Sequence, residues 1–156
     1  MHRNVRSFLA AAEALGVDIT PRRFPESTHT AADAAAAVGV SLGQIVKSLV
    51  FRVDDEVVVA LVSGANRLDE GKLAAVAGGA SAGRVDADVV REATGYPIGG
   101  VPPFGHRTKL RVFVDQNLLQ YDEVWAAAGT PDVNFGIAPD ALVKAADGVV
   151  CDVALR

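Results

Sequence analysis

The sequence predicts a single α+β domain that spans residues 1–156 and combines short strands with short helices. Three observations lead to this fold class. The chain is long enough for one core, and 50% of its residues are hydrophobic. Two β-rich runs, 44–53 and 56–63, follow one another directly, whereas the later strand patterns are interspersed with helical patterns. Because this alternation is irregular, it favours a mixed sheet over a regularly wound parallel one.

Helix signals surround one strand pattern at the start of the chain. Apolar residues at helical spacing predict a helix over about residues 4–15, which Gly16 ends. Residues 18–24 are predicted to form a short edge strand, because a proline interrupts the pattern. Thr30 then caps an alanine-rich helix that Gly39 ends.

The runs 44–53 and 56–63 predict a hairpin that turns at Asp54-Asp55. The second run has no polar face, so both of its faces should be covered by other parts of the protein. Shorter elements follow along the chain. They are a helix capped by Asp69, a helix from Asp86 to Gly95, strands at 110–115, 123–128 and 133–137, a helix from Pro139 to Ala146 and a last strand at 149–153.

A loop at residues 94–109 is the segment around which we expect the chain to be organised. Two adjacent prolines exclude a helix or a central strand, and the glycines let another group approach the backbone closely. The loop is therefore either a site that holds a ligand with main-chain groups or a rigid connector between a helix and a strand. The residues concerned are Gly99, Gly100, Pro102, Pro103 and Gly105.

Lys47 is the most informative polar residue. In a strand it shares one face with three apolar residues, and Ser48 lies on the other face. Its ammonium either enters a pocket, where it could bind a phosphate, a carboxylate or a developing oxyanion, or lies in solvent above a packed stem. After the hairpin, Ser63, Asn66 and Arg67 either line the same pocket or form an ordinary turn.

Charge and composition exclude several classes of function. A net charge of −4 argues against a broadly basic surface that coats nucleic acid, although a small patch at Arg107, Lys109 and Arg111 remains open beside an ordinary solvated strand edge. Cys151 is the single cysteine, which excludes an internal disulfide. No apolar run is long enough for a membrane span, so a cytoplasmic protein is expected.

The usual catalytic and metal-binding sets are missing from the sequence. His2, His29 and His106 lie far apart without ligand spacing, so we predict no metal site and no cofactor. Cys151 lies in an apolar strand and is predicted to belong to the core. His106 follows the glycine-proline pattern, where it either acts as a base or flanks the site.

Two segments together resemble the YbaK-type aminoacyl-tRNA editing family, whose members also occur as editing domains associated with prolyl-tRNA synthetase. They are residues 45–51, which contain Lys47, and residues 99–105, with a Gly-x-x-x-Pro pattern from Gly99 to Pro103. The resemblance extends over about residues 5–153 with the elements in the same order. It implies a mixed, barrel-like sheet flanked by helices.

The resemblance also implies an activity, namely an esterase that removes a wrong amino acid, such as Cys or Ala, from tRNA(Pro). Lys47 would contact the substrate near the tRNA 3′ end, while a substrate group or an ordered water attacks. The implied partners are mischarged tRNA and prolyl-tRNA synthetase. The predicted catalytic set is Lys47, Gly99, Gly100 and Pro103, and the predicted substrate-binding residues are Ser48, Ser63, Val101, Pro102, Phe104, Gly105 and His106.

The chain departs from some members of that family at residues 126–129, where Ala-Ala-Ala-Gly replaces a Ser-Gly-Gly segment. This change removes a hydroxyl and leaves the amino-acid specificity open. A second class of function fits the same pocket: a non-catalytic module for a nucleotide or aminoacyl-like ligand, or an accessory protein that docks on a synthetase. Residues 94–109, the glycine-proline loop, are expected to lie at the surface, so Gly100→Val and Pro103→Gly should both lower activity while leaving the thermal midpoint close to wild type.

Overall fold

The computed structural model describes residues 1–24 and 30–156, which form five α-helices and eight β-strands. The helices are α1 (Arg3–Ala14), α2 (Ala31–Val38), α3 (Glu70–Ala77), α4 (Ala87–Thr94) and α5 (Pro139–Ala146). The strands are β1 (Arg22–Arg23), β2 (Val46–Val53), β3 (Glu56–Ser63), β4 (Ala82–Arg84), β5 (Arg111–Asp115), β6 (Val124–Ala127), β7 (Val133–Ile137) and β8 (Val149–Cys151).

The strands form two sheets. One has the order β1-β7-β6 and is antiparallel, and the other has the order β4-β2-β3-β5-β8 and is mixed. A single isolated parallel bridge between Ile45 and Trp125 links them. The α+β class predicted from the sequence is therefore confirmed. Within the described residues, however, the strands form two open sheets rather than a closed barrel.

Strand β3 is covered on both faces, as its uniformly apolar sequence predicts. All five residues from Val58 to Val62 have 0% of their surface exposed. Val59 and Leu61 belong to the first core, which lies between the two sheets and also receives α1 and α5. Val58 and its neighbours on the same face belong to the second core, which packs against Leu73 of α3. Burial on both sides is the main reason why this hairpin forms the centre of the domain.

The helix boundaries follow the predicted capping chemistry. The side chains of Thr30, Asp69 and Asp86 each accept a hydrogen bond from the backbone N–H three residues on, at 2.9–3.1 Å. Each bond satisfies one of the donors that a helix leaves unpaired at its N-terminus. Pro139 occupies the first turn of α5, as predicted. The residue that ends α5 is Asp147 in the left-handed conformation, with φ at 50°.

Two strand predictions need correction, and one strand was missed. The strand predicted at 18–24 is only Arg22–Arg23, because it pairs with β7 at just two positions. Strand β8 ends at Cys151 instead of continuing to residue 153. Strand β4 was not predicted at all, since its three residues include a glycine and show no alternation. Among the described residues, no helix is both long enough and apolar enough to cross a bilayer.

Candidate active site

The candidate site begins at the outer edge of strand β2. Strand β2 pairs with β3 along its whole length, from Val46 opposite Ser63 to Val53 opposite Glu56. On its other side it pairs with β4 only over residues 51–53. Within the described part of the chain, no strand pairs with the outer edge of β2 over residues 47–50.

The main-chain groups at this edge have a defined direction. The carbonyl of Ile45 accepts a hydrogen bond from the Gly64 N–H at 2.7 Å, so it points toward β3. Because backbone groups alternate along an antiparallel ladder, those of Ser48 and Val50 point away from β3. The Asp54 N–H, which donates at 2.8 Å to residue 81 beyond the end of β2, has the outward direction expected for an even-numbered residue. The edge therefore offers N–H and C=O groups to a ligand.

A cavity of about 400 Å³ lies along this edge. We call it the strand-edge cavity. Its floor is the segment 45–51, and its walls come from helices α2 and α4, the sheet β1-β7-β6 and the glycine-proline loop. Its described wall residues are Thr30, Ala31, Ala34, Arg84, Val85, Val90, Ile98, Gly99, Val101, Ala127, Pro131 and Asn134.

Ser48 lies in the floor of the cavity with its hydroxyl oxygen buried. Its cross-strand partner Leu61 is part of the first core, so the Ser48 side chain leaves the sheet on that face. Among the described residues, the Ser48 hydroxyl has no hydrogen-bond partner. A buried polar atom without a partner is uncommon in native structures and indicates that a ligand or solvent satisfies it.

Lys47 also lines the cavity, but its side chain leaves β2 on the opposite face, together with Leu49 of the second core. Its ammonium donates a hydrogen bond to the main-chain oxygen of Asn66 at 2.5 Å. Burial lowers the pKa of Lys47, while the nearby Asp115 carboxylate raises it and Arg67 lowers it further. The ammonium thus lies at the end of β3 and retains two donors beyond the one given to Asn66.

Asp115 organises the surroundings of Lys47, a role that the sequence analysis did not assign to it. Its side chain is fully buried. One carboxylate oxygen accepts from the Ser63 N–H at 3.1 Å and from the Asn66 side-chain amide at 2.8 Å, and the other accepts from the Asn117 N–H at 3.0 Å. A buried carboxylate with three donors rigidly orders the turn that holds the lysine. The sequence signal that could have revealed this role is an aspartate at the end of an apolar strand.

The glycine-proline loop approaches the cavity through a tight turn. The Gly100 N–H donates to the Pro97 oxygen at 2.9 Å, and Gly99 has φ at 86°. This combination is typical of a type II turn, whose third residue favours glycine. The turn places Gly99 at the cavity and leaves Ile98 at its rim with 62% of its surface exposed.

The rest of the loop is packed into the first core. Val101 and Phe104 are only 4% and 2% exposed, and the Phe104 ring lies 5.1 Å from that of Phe8 between centroids. A Cβ built on Gly100 would lie 2.7 Å from the Gly129 main-chain oxygen. The expectation of a surface loop is therefore wrong: residues 100–104 are buried, and Gly100 is required by backbone packing.

The remaining predicted site residues lie elsewhere. Pro102 and Pro103 are buried inside the loop. Phe104, Gly105 and His106 line a second, more open groove of about 970 Å³. The structure therefore brings Lys47, Ser48, Gly99 and Val101 together at one cavity, and separates from them the residues of the second groove.

Ser63 is buried and donates to the Gly43 oxygen at 2.7 Å, so it reaches the site only through Asp115. His106 donates through Nε2 to the Pro102 oxygen at 2.7 Å, and burial lowers the pKa of His106. Burial likewise raises the pKa of the Cys151 thiol. His29 lies outside the described residues.

The predicted basic patch is largely neutralised. Arg111 donates to both carboxylate oxygens of Glu56, at 2.8 and 2.6 Å, and Lys109 lies 3.9 Å from Asp147. These pairs reduce the positive charge at that surface, where Arg107 forms no ion pair with a described residue. Two cationic residues, Lys47 and Arg84, line the strand-edge cavity.

The fold is an α+β domain in which a glycine-containing turn meets the outer edge of strand β2 at a cavity. The chain belongs to the aminoacyl-tRNA editing domain family, whose model matches residues 25–145. It is 35% identical over 106 residues to a proline--tRNA ligase of Maridesulfovibrio salexigens, a match that covers 68% of this chain and 18% of the ligase.

Two other similarities cover most of both proteins. The chain is 27% identical over 131 residues to "Putative Cys-tRNA(Pro)/Cys-tRNA(Cys) deacylase EbsC" of Enterococcus faecalis, covering 82% of this chain and 79% of that protein. It is 43% identical to a solved structure described as "a putative trans-editing enzyme for prolyl tRNA synthetase". That superposition has a TM-score of 0.95 and covers 100% of this chain and 99% of the other.

Proposed function

We propose that the protein is an aminoacyl-tRNA deacylase, which hydrolyses the ester between a wrong amino acid and the 3′ end of a tRNA. The observation that carries this proposal is the presence of Lys47, the unpartnered Ser48 hydroxyl and the outward main-chain groups of β2 at one cavity. Such groups can hydrogen-bond both ends of an aminoacyl ester, since N–H donors suit its carbonyl oxygen and C=O acceptors suit its α-amino group.

We infer that water or a group of the substrate attacks the ester. The described lining residues include no histidine, cysteine or carboxylate that could activate Ser48 as a nucleophile. In the proposed reaction, water or a substrate group adds to the ester carbonyl carbon and forms a tetrahedral oxyanion. The bond to the ribose oxygen then breaks, that oxygen takes up a proton given up by the attacking water, and the amino acid leaves with a free carboxyl group. Where a substrate group attacks first, water hydrolyses the acyl bond that this attack forms.

Stabilisation of the oxyanion is assigned to groups that are fixed before the substrate arrives. The N–H groups of Ser48 and Val50 belong to a strand that is already ordered by its pairing with β3. Donors that need no reorganisation during the reaction contribute a large part of the rate enhancement in acyl transfer. Lys47 is proposed to bind a phosphate or the developing negative charge with the two donors that Asn66 leaves free.

The proposed substrates are Cys-tRNA(Pro) and Ala-tRNA(Pro), and the proposed macromolecular partner is prolyl-tRNA synthetase. The relatives named above support this choice. The cavity wall at Ala127 supports a small aminoacyl group, because it presents only a methyl group. We further propose that the turn at Gly99 holds the aminoacyl moiety against β2, with Val101 behind it.

The experiment is a single-turnover deacylation screen over tRNAs mischarged with different amino acids. We expect release of Cys or Ala from tRNA(Pro) to be accelerated well above the spontaneous rate, while Pro-tRNA(Pro) remains intact. Saturable binding of these tRNAs without acceleration would instead identify a non-catalytic module and overturn the proposal. A catalytic preference for a different mischarged tRNA would retain the deacylase and replace only the substrate.

A further inference from the structure

We propose that Arg22, Arg52, Arg84 and Ile98 form a rim that binds the single-stranded nucleotides next to the aminoacylated end of an RNA. We call these four residues the nucleotide rim. The inference rests on the proposed function and deepens it, because it assigns residues to the part of the substrate that lies outside the cavity. It is carried by charge distribution, by unpaired guanidinium groups and by exposed apolar surface.

The charge distribution around the strand-edge cavity is opposite in sign to that of the whole chain. The chain has a net charge of −4, yet the described lining residues of the cavity include Lys47 and Arg84 and no carboxylate. The second groove, by contrast, is lined by Glu56 and Asp147 as well as by cations. A concave surface whose described lining residues include cations and no carboxylate presents a local positive field suited to an anionic ligand.

The three arginines of the rim are not used by the fold for ion pairs. Four other arginines pair with carboxylates, as Arg91 does with Asp88 at 3.4 Å, whereas four more, Arg3, Arg6, Arg67 and Arg107, resemble the rim arginines in forming no ion pair with a described residue. Within the described part of the chain, Arg22, Arg52 and Arg84 form no salt bridge. Their guanidinium donors are therefore available to phosphate oxygens, which they can bind in a bidentate manner.

Arg22 makes cation–π contacts with two aromatic rings beside the cavity. Its guanidinium lies 5.2 Å from the ring centroid of Phe24 and 5.5 Å from that of Trp125. In the pairing of β1 with β7 it lies opposite Asn134, a residue that lines the cavity, so the two side chains share a face of the sheet. Arg22 is exposed, and a base can therefore stack on the guanidinium face that the aromatic rings leave free.

The other side of the rim combines charge with apolar surface. The Arg52 guanidinium crosses Gly83, where a Cβ would lie 2.6 Å from one of its nitrogens. Arg84, the next residue of β4, lies opposite Phe51 and leaves the sheet on the other face, so the two arginines flank the end of β4 from its two sides. Ile98 projects from the turn of the glycine-proline loop, 62% exposed although it is large and apolar. Phosphate-binding cations beside exposed flat or apolar groups are the combination with which proteins bind single-stranded nucleic acid.

The test measures binding of a short fluorescently labelled single-stranded RNA ending in CCA, by anisotropy at several salt concentrations. Arg52→Ala and Arg84→Ala should each weaken binding several-fold. Each should also reduce the slope of log affinity against log salt by about 0.7, the value for one phosphate contact on a single strand. Arg22→Lys keeps the charge but loses the planar stack, so it should weaken binding with the slope unchanged. Lys109→Ala, which removes an exposed cation at the second groove, is the matched control.

Wild-type affinity in the rim variants, or an equal loss in Lys109→Ala, would overturn the inference. Thermal melting confirms that each variant is folded. Deacylation assays distinguish this inference from the proposed function. If the rim variants leave the KM for mischarged tRNA unchanged while hydrolysis proceeds, the rim is wrong and the deacylase stands. If the RNA binds through the rim but no ester is hydrolysed, the assignment of the rim stands and the proposed deacylase activity is wrong.

Discussion

The ammonium of Lys47 is hydrogen-bonded at 2.5 Å to the main-chain oxygen of Asn66, whose side-chain amide is in turn bound by the buried Asp115. The contact holds a half-buried cation at the turn that follows β3. Burial lowers the pKa of Lys47, which means that the charged form of the side chain is destabilised at this position. A lysine placed for stability alone would lie in solvent, so the arrangement favours a role in binding.

The first prediction concerns Lys47→Ala. If the ammonium binds the substrate or its developing charge, single-turnover hydrolysis should fall by about 10²-fold. The thermal midpoint should stay close to wild type or rise, because the variant removes a partly desolvated charge. The matched control is Lys144→Ala, which removes an exposed lysine of α5. Hydrolysis at the wild-type rate in a folded Lys47→Ala variant would remove this residue from the mechanism.

The second prediction separates a ligand-binding serine from a structural one. The Ser48 hydroxyl is buried without a described partner, so Ser48→Ala should leave the free energy of unfolding unchanged or increase it while hydrolysis falls about tenfold. The Ser63 hydroxyl donates to the Gly43 oxygen, so Ser63→Ala should cost about 1 kcal/mol. Urea unfolding and deacylation of both variants provide the check. Equal destabilisation by the two substitutions would mean that Ser48 has a structural partner.

The sequence predicts local structure here better than the site. Capping by Thr30 and Asp86 needs only residues three positions apart, and it is confirmed. The sequence also places Lys47 and Ser48 on opposite faces of a strand, but it does not say which face meets the loop. The link from Asp115 to Asn66 joins residues 49 positions apart, and only tertiary packing creates it.

The third prediction concerns Gly100→Ala. Its new Cβ would contact the rigid main chain at Gly129, so we expect a loss of about 2 kcal/mol in unfolding free energy. Gly16→Ala is the matched control, because Gly16 has φ at 72° but nothing within 4 Å of a Cβ. That variant should cost about 1 kcal/mol through backbone strain alone. A smaller loss of unfolding free energy in Gly100→Ala than in Gly16→Ala would contradict this prediction, because it would show that the loop backbone shifts at little cost to accommodate the new Cβ.

The fourth prediction concerns stability against pH and His106. Its folded-state pKa is lowered below the ordinary value of 6.5, so the unfolded chain binds more protons as the pH falls through that range. The stabilising contribution is present above pH 6.5 and is lost as the pH falls toward the folded-state pKa. His106→Gln, which keeps an N–H donor for the Pro102 oxygen, should flatten the decline in thermal midpoint between about pH 7 and 5. If the thermal midpoint of His106→Gln declines with falling pH as steeply as that of the wild type, then other titrating groups cause the decline.

The most direct test of the central claim fills the strand-edge cavity. Ala127→Leu places a larger apolar side chain in its wall, and Ala14→Leu places the same side chain at the second groove. The measurement is single-turnover deacylation of Cys-tRNA(Pro) and Ala-tRNA(Pro) by both variants, with melting curves to confirm folding. The account predicts a loss of about 10²-fold or more in Ala127→Leu and a near wild-type rate in Ala14→Leu. Full activity in a folded Ala127→Leu variant would contradict it.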